Sequence, residues 1–151
     1  MSVPDAVEDR KQAMGLLARA DAGALLALWR DWPDKPAFSW LRKPESGLVM
    51  VRGRMGGEGA AFNLGELTVT RCAVRLTDGT VGHAYVQGRS TEKAEVAALV
   101  DALYQRSTDR EAVQQRFLRP LERSLQDKRD TAAAETAGTR VEFFTMVRGD
   151  T

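Results

Sequence analysis

Residues 71–89 constrain the fold of this chain more than any other stretch: Arg71-Cys-Ala-Val-Arg-Leu-Thr-Asp-Gly-Thr-Val-Gly-His-Ala-Tyr-Val-Gln-Gly-Arg89. Two β-rich arms flank Asp78-Gly79, a pair that tolerates the left-handed backbone of a two-residue type I′ turn. Counting outward from such a turn pairs Leu76 with Val81, Arg75 with Gly82, Val74 with His83 and Cys72 with Tyr85. One face of the hairpin then alternates apolar side chains, and Arg71 and Arg75 share the other. The second arm ends in Gly88-Arg89-Ser90-Thr91, which reads as a strand running into a helix.

Helical spacing dominates the flanks. Leu25, Leu28, Trp29 and Trp32 form one apolar stripe behind an Asp21 cap, with Pro33 and Pro36 ending the helix. Met14, Leu17 and Ala18 mark a helix before it. Segments 37–42 and 47–53 read as two strands joined in a hairpin by the turn Lys43-Pro44-Glu45-Ser46. The glycine-rich link Arg54-Met55-Gly56-Gly57-Glu58-Gly59 then leads to the central hairpin. Val96, Leu99, Val100 and Leu103 predict an amphipathic helix that turns Glu92, Glu95 and Asp101 to water. Thr108 and Glu111 have the spacing of a capping box, and Pro120 must kink or divide the helix that follows. Segment 139–148 alternates and carries Phe143-Phe144, so it reads as a strand closing the sheet. The sum is an α+β single domain over residues 1–151, a mostly antiparallel sheet packed with several helices.

Twenty-two basic residues against 21 acidic ones leave a net charge of +1, so no global field draws the chain to nucleic acid or an anionic membrane. No stretch has the length and apolarity of a membrane span, and the N-terminus lacks the basic and then apolar regions of a signal peptide; a cytoplasmic protein is expected. The one cysteine, Cys72, fits that compartment. Alone it cannot form an internal disulfide, hold an iron-sulfur cluster or build a four-cysteine zinc site. In a strand among apolar neighbours it reads as a small core residue.

Chemistry-bearing patterns are sparse. The 54–59 loop matches neither G-x-x-x-x-G-K-[ST] nor G-x-G-x-x-G, so it reads as a structural loop before a phosphate cradle. More suggestive are Arg52, Arg54, Arg71, Arg75, Arg89, Arg140 and Arg148, all on predicted strands or at their ends. Arginine suits bidentate recognition of phosphate or carboxylate and interface ion pairs, so the set points to an interface or anion-facing surface. His83, the single histidine, has no serine, cysteine or carboxylate near it in sequence as a nucleophile partner. It leaves open a free-standing enzyme acting on a phosphorylated small molecule. Basic strands with Tyr85, Phe143 and Phe144 leave open an RNA platform, against which the near-neutral charge counts.

Three segments taken together carry a resemblance: Gly47-Leu48-Val49 with the 54–59 loop, the block 67–89, and the block 139–150. In this order and spacing they resemble PhnG, the G subunit of the bacterial carbon-phosphorus lyase system for phosphonate use. The resemblance implies a cytoplasmic complex with H, I and J subunits that forms α-D-ribose 1-methylphosphonate 5-triphosphate from ATP and methylphosphonate, the phosphonate displacing adenine. It implies an accessory role here, with catalysis in a partner, ATP used by the complex and no cofactor held by this chain alone. The residues agree, since the chain has neither a nucleotide motif nor the three cysteines of a radical iron-sulfur subunit. No catalytic or metal residue is assigned. The expected interface or anion-facing set is Arg52, Arg54, Gly56, Gly57, Arg71, Arg75, Arg89 and Arg148, with neither nucleic acid nor membrane as partner.

Overall fold

The computed structural model describes the backbone of residues 3–54 and 61–149, and the side chains of 7–52 and 65–136. Helix α1 (Val3–Arg19) is followed by α2 (Ala22–Arg30), whose first turn is held as the sequence predicts. Asp21 Oδ2 accepts the Ala24 N–H at 3.0 Å, satisfying a donor that has no partner within the helix. Leu25 and Trp32 are buried, with Leu28 and Trp29 packed beside them.

Three antiparallel strands follow in the order β1 (Phe38–Arg54), β2 (Ala61–Leu76), β3 (Val81–Gln87), with β2 in the middle. The expected hairpin within 37–53 is absent: β1 is one long strand, and Lys43-Pro44 fall where its pairing with β2 slips. Register shifts between Trp40 and Arg42, and again between Arg42 and Glu45, absorb one surplus β1 residue each. Bulges of this kind accept a proline that has no ladder hydrogen bond to give, so the chain need not turn there.

The turn between β2 and β3 also departs from expectation. The Gly79 N–H donates to the Leu76 carbonyl at 3.0 Å, and the Leu76 N–H to the Thr80 carbonyl at 2.8 Å. Within the loop the positive φ belongs to Gly79 (+92°) and not to Asp78. The connection is therefore a three-residue loop, a type I turn followed by a left-handed glycine. Asp78 Oδ1 accepts the Thr80 N–H at 2.9 Å, a local bond that favours this geometry. The register moves by one residue, to Arg71 with Tyr85, Cys72 with Ala84, Ala73 with His83, Val74 with Gly82 and Arg75 with Val81. Cys72 and Ala84 thus face the core, and Tyr85 joins Arg71 outside.

Helix α3 (Thr91–Gln105) starts at Ser90, whose Oγ accepts the Lys93 N–H at 3.1 Å. It is buried nearly all round, from Lys93 to Tyr104 apart from the half-buried Glu95, between the sheet and helices α1 and α2. Asp101, expected in water, is 1% exposed. Close approach to β3 depends on Gly82: a Cβ there would collide with the Ala98 carbonyl oxygen and lie 2.8 Å from Ala102 Cβ.

The next helix opens at Asp109, not at Thr108. Asp109 makes no side-chain cap bond and pairs instead with Arg106 Nε at 3.0 Å. The short α4 (Arg110–Val113) passes into a π-helical turn, Gln114–Leu118, and then into α5 (Arg119–Gly149). Pro120 sits just beyond the π turn; its ring crowds the carbonyl of Arg116, four residues back, and a widened turn relieves that clash. The π turn places Phe117, fully buried, 5.3 Å from the Trp32 ring and 6.2 Å from that of Trp29.

Segment 139–148 is helical, within α5, and not the strand that its alternation suggested. A strand needs a paired neighbour for its backbone groups, whereas a helix satisfies them internally, and the alanines at 132–134 carry the helix toward this segment. The sheet is antiparallel and the class α+β, as expected.

Candidate interaction surface

The two edges of the sheet differ. On the β3 edge, the His83 N–H donates to Asp101 Oδ2 at 2.9 Å, and Gln105 Nε2 donates to the Val81 carbonyl at 2.6 Å. Both side chains come from α3, which thereby caps the first part of that edge, at Val81 and His83. The buried Asp101 carboxylate is held in turn by a bidentate pair from Arg10 of α1, Nε at 3.0 Å and Nη2 at 2.9 Å. This pairing raises the Arg10 pKa above its ordinary value, the hydrogen bond to Asp101 outweighing partial burial. The β1 edge has no strand beyond it among the described residues.

The sheet faces differ as well. One packs on α3; on the other, Ala73 and Val69 of the central strand are buried between exposed flanking side chains, and no helix or strand is seen over them among the described residues. Register sets this outer face out in rows, because directly paired residues share a side. Ser39, Arg75 and Val81 form one row; Arg42, Ala73 and His83 the next; then Glu45, Arg71 and Tyr85; then Gly47, Val69 and Gln87. Arg42, Arg71, Arg75, His83 and Tyr85 are all exposed. Three arginines thus share these rows with one carboxylate. Glu45 Oε2 lies 3.6 Å from Arg71 Nη2, an exposed pair that contributes little to stability. Arg42 and Arg75 have no ion pair among the described residues.

Past the end of β3, β1 and β2 continue alone as a two-stranded arm. Its root is pinned by a short polar chain: Ser46 Oγ lies 2.9 Å from Thr70 Oγ1, which donates to the Gly88 carbonyl at 2.6 Å. The last bond from the third strand's side is Gly88 N–H to the Thr68 carbonyl, 2.8 Å. Beyond it Leu48 pairs with Thr68, Val49 with Leu67, Met50 with Glu66 and Val51 with Gly65.

The structure therefore divides the expected set. Arg71 and Arg75 share the outer face. Arg52 is exposed on the arm opposite Asn63, and Arg54 closes the described part of β1 opposite Ala61. Arg89 is exposed in the turn into α3. Arg140 and Arg148 belong to α5, on no strand, and Gly56 and Gly57 lie outside the described residues. Arg42 and Glu45 were missed because the sequence reading ended a strand at Arg42 and placed Glu45 within the turn that followed. The arm was missed although Leu48 to Val51 is an unbroken apolar run, the pattern of a strand covered on both faces.

Chemistry within the chain is limited. The His83 imidazole has no hydrogen bond among the described residues, and Cys72 is buried on the opposite face. Burial, with a smaller contribution from Glu95, pushes the Cys72 thiol up to about 11, so it stays protonated at neutral pH. Lys93 is buried with Nζ on the Ala18 carbonyl at 2.9 Å, at the C-terminal end of α1 where a cation is favoured; its pKa is lowered by burial. The strand-borne aromatic platform that the sequence left open does not form from strands alone, since Phe143 and Phe144 lie on helix α5 and Tyr85 on β3. Among the described residues no cluster of three or more His, Cys, Asp or Glu could hold a metal ion, and no helix is long and apolar enough to cross a membrane.

Comparison with known proteins gives this surface a context. The profile of the family described as "Phosphonate metabolism protein PhnG" matches residues 8–149. A protein of Rhizobium meliloti (strain 1021), named alpha-D-ribose 1-methylphosphonate 5-triphosphate synthase subunit PhnG, is 48% identical over 145 residues, covering 95% of this chain and 92% of that protein. With the profile matched over residues 8–149 and a synthase subunit 48% identical over nearly its full length, this chain belongs to the PhnG family.

Proposed function

We propose that this chain is an accessory subunit of a complex that makes α-D-ribose 1-methylphosphonate 5-triphosphate, and that it contributes binding surface while a partner carries the catalytic groups. In this reading it assembles in the cytoplasm with H, I and J subunits. The complex uses ATP and methylphosphonate, the phosphonate displacing adenine, and this chain holds no cofactor of its own.

One observation carries the role: the outer sheet face, on which Arg42, Arg71 and Arg75 stand with a single carboxylate, in a chain 48% identical to a subunit of that synthase. An exposed guanidinium row offers bidentate donors to carboxylates of a neighbouring subunit or to polyphosphate. Among the described residues no side chain activates His83 or the buried Cys72, and an accessory role asks for no such activation.

The experiment is reconstitution from the four purified subunits, with adenine release from ATP plus methylphosphonate as readout. The reading predicts that the chain joins the complex and that adenine release requires it. Arg71→Glu with Arg75→Glu should weaken incorporation about tenfold or more and leave the melting temperature of the isolated chain unchanged. Undiminished activity without the chain, or its failure to join the other three, would refute the role.

A further inference from the structure

We propose that the two-stranded arm formed by residues 47–52 and 65–68 inserts into an apolar cleft of a different subunit, which encloses both of its faces. This inference rests on the subunit role above and names the surface that serves it.

The arm leaves apolar side chains bare on both sides. Register places Leu48 and Met50 on one face, with Val49, Val51 and Leu67 on the other. Leu48 is 58% exposed, Met50 54%, Val51 37% and Leu67 36%. An isolated two-stranded ribbon is marginal in water, and exposed apolar residues concentrated on one projection mark a contact region. Thr68 and Glu66 share the face of Leu48 and Met50, so that face is mixed, with two large apolar side chains more than half exposed beside two polar ones.

Area and geometry decide between occupants. Five residues of strand span about 17 Å, and a ribbon about 10 Å wide offers about 170 Å² on one flat face. A stable complex buries about 800 Å² per partner. Two copies stacking their arms face to face would bury one face each and leave the outward faces wet, whereas enclosing both faces buries about 340 Å² of the arm and leaves the remainder of the contact to the adjoining sheet face. Two copies joined edge to edge along β1 would extend the sheet and leave both faces bare. A cleft with two walls covers both faces and pairs with the free edge of β1. Contact then continues from the arm onto the adjoining rows bearing Arg71, Arg75 and Arg42, so the rim of the cleft on that side carries carboxylates.

The test uses the reconstituted complex and two double variants, one for each face: Leu48→Ser with Met50→Ser, and Val51→Ser with Leu67→Ser. Each should weaken incorporation about 30-fold or more, with the melting temperature of the isolated chain within a few degrees of wild type. As a check independent of folding effects, a photo-reactive amino acid replaces Met50 or, separately, Val51. Both positions should cross-link to one and the same other subunit. Several results would overturn the inference: normal incorporation of both variants, loss from one face alone, or cross-links to a second copy of this chain. A wild-type chain that fails to join the complex would instead bring down the subunit role itself, so the two failures are distinguishable.

Discussion

In the first half of β3 two backbone groups left over by the sheet find partners inside the chain: Asp101 takes the His83 N–H, Gln105 reaches the Val81 carbonyl, and Arg10 neutralises the carboxylate. Along β1, the arm beyond Ser46 meets nothing comparable, and Leu48 and Met50 remain more than half exposed. The same sheet is thus capped by its own helix at Val81 and His83, while among the described residues the β1 arm has no such partner. Burying a charged pair and a strand edge together costs solvation that local hydrogen bonds must offset. The β3 side meets that cost within the chain. The arm can recover apolar burial through another subunit, which separates the half that stabilises the monomer from the half available for assembly.

Breaking the closed side should have the largest effect. Gly82→Val forces side-chain atoms into the Ala98 carbonyl and Ala102, and should cost about 3 kcal/mol or more by chemical denaturation. Asp101→Ala comes next, at about 2–3 kcal/mol, because it orphans the His83 N–H and the Arg10 guanidinium; Arg10 is one-third exposed and recovers part of its hydration. The buried thiol acts within a limited pH range. Its folded pKa of about 11 lies above the ordinary 9.0, so its contribution is intact below about pH 9. It is lost as pH rises toward 11, because the unfolded state releases the proton first. Cys72→Ala should flatten that part of the stability profile, and wild-type Cys72 should resist alkylation at pH 7 until the chain unfolds. Smallest of all, Met50→Ser should change the stability of the isolated chain by no more than about 0.5 kcal/mol, despite removing a large apolar side chain. A cost near 2 kcal/mol would mean that the arm is buried within the monomer and would remove the contrast.

Features set by local chemistry were legible in the sequence. The Asp21 cap, the stripe from Leu25 to Trp32, the Ser90 helix start and the alternation that puts Arg71 and Arg75 on one face all follow from spacing of a few residues. Features set by distant partners were not. Asp101 reads as a solvated helix residue until Arg10, 91 positions away, is brought against it. Pro44 reads as a turn because the bulges that absorb it depend on the register of β2. The hairpin register slipped by one because the Asp78 side chain selects a three-residue loop, a choice that the Asp-Gly pair alone does not reveal. At 139–148 the alternation of Val141, Phe143 and Val147 suggested a strand, but alternation without a pairing neighbour leaves the helix as the self-satisfied backbone. For the candidate surface, the sequence reading grouped arginines that the fold divides among the outer face, the arm, the turn into α3 and helix α5, and it left out Arg42.

Amide hydrogen exchange on the isolated chain and on the reconstituted complex tests the central contrast most directly. In the isolated chain the His83 amide should already be protected, while the group of amides at 47–52 exchanges rapidly. Assembly should slow the 47–52 group about 100-fold and change His83 little. Rapid exchange at 47–52 in the complex as well, or an unprotected His83 in the isolated chain, would contradict the account.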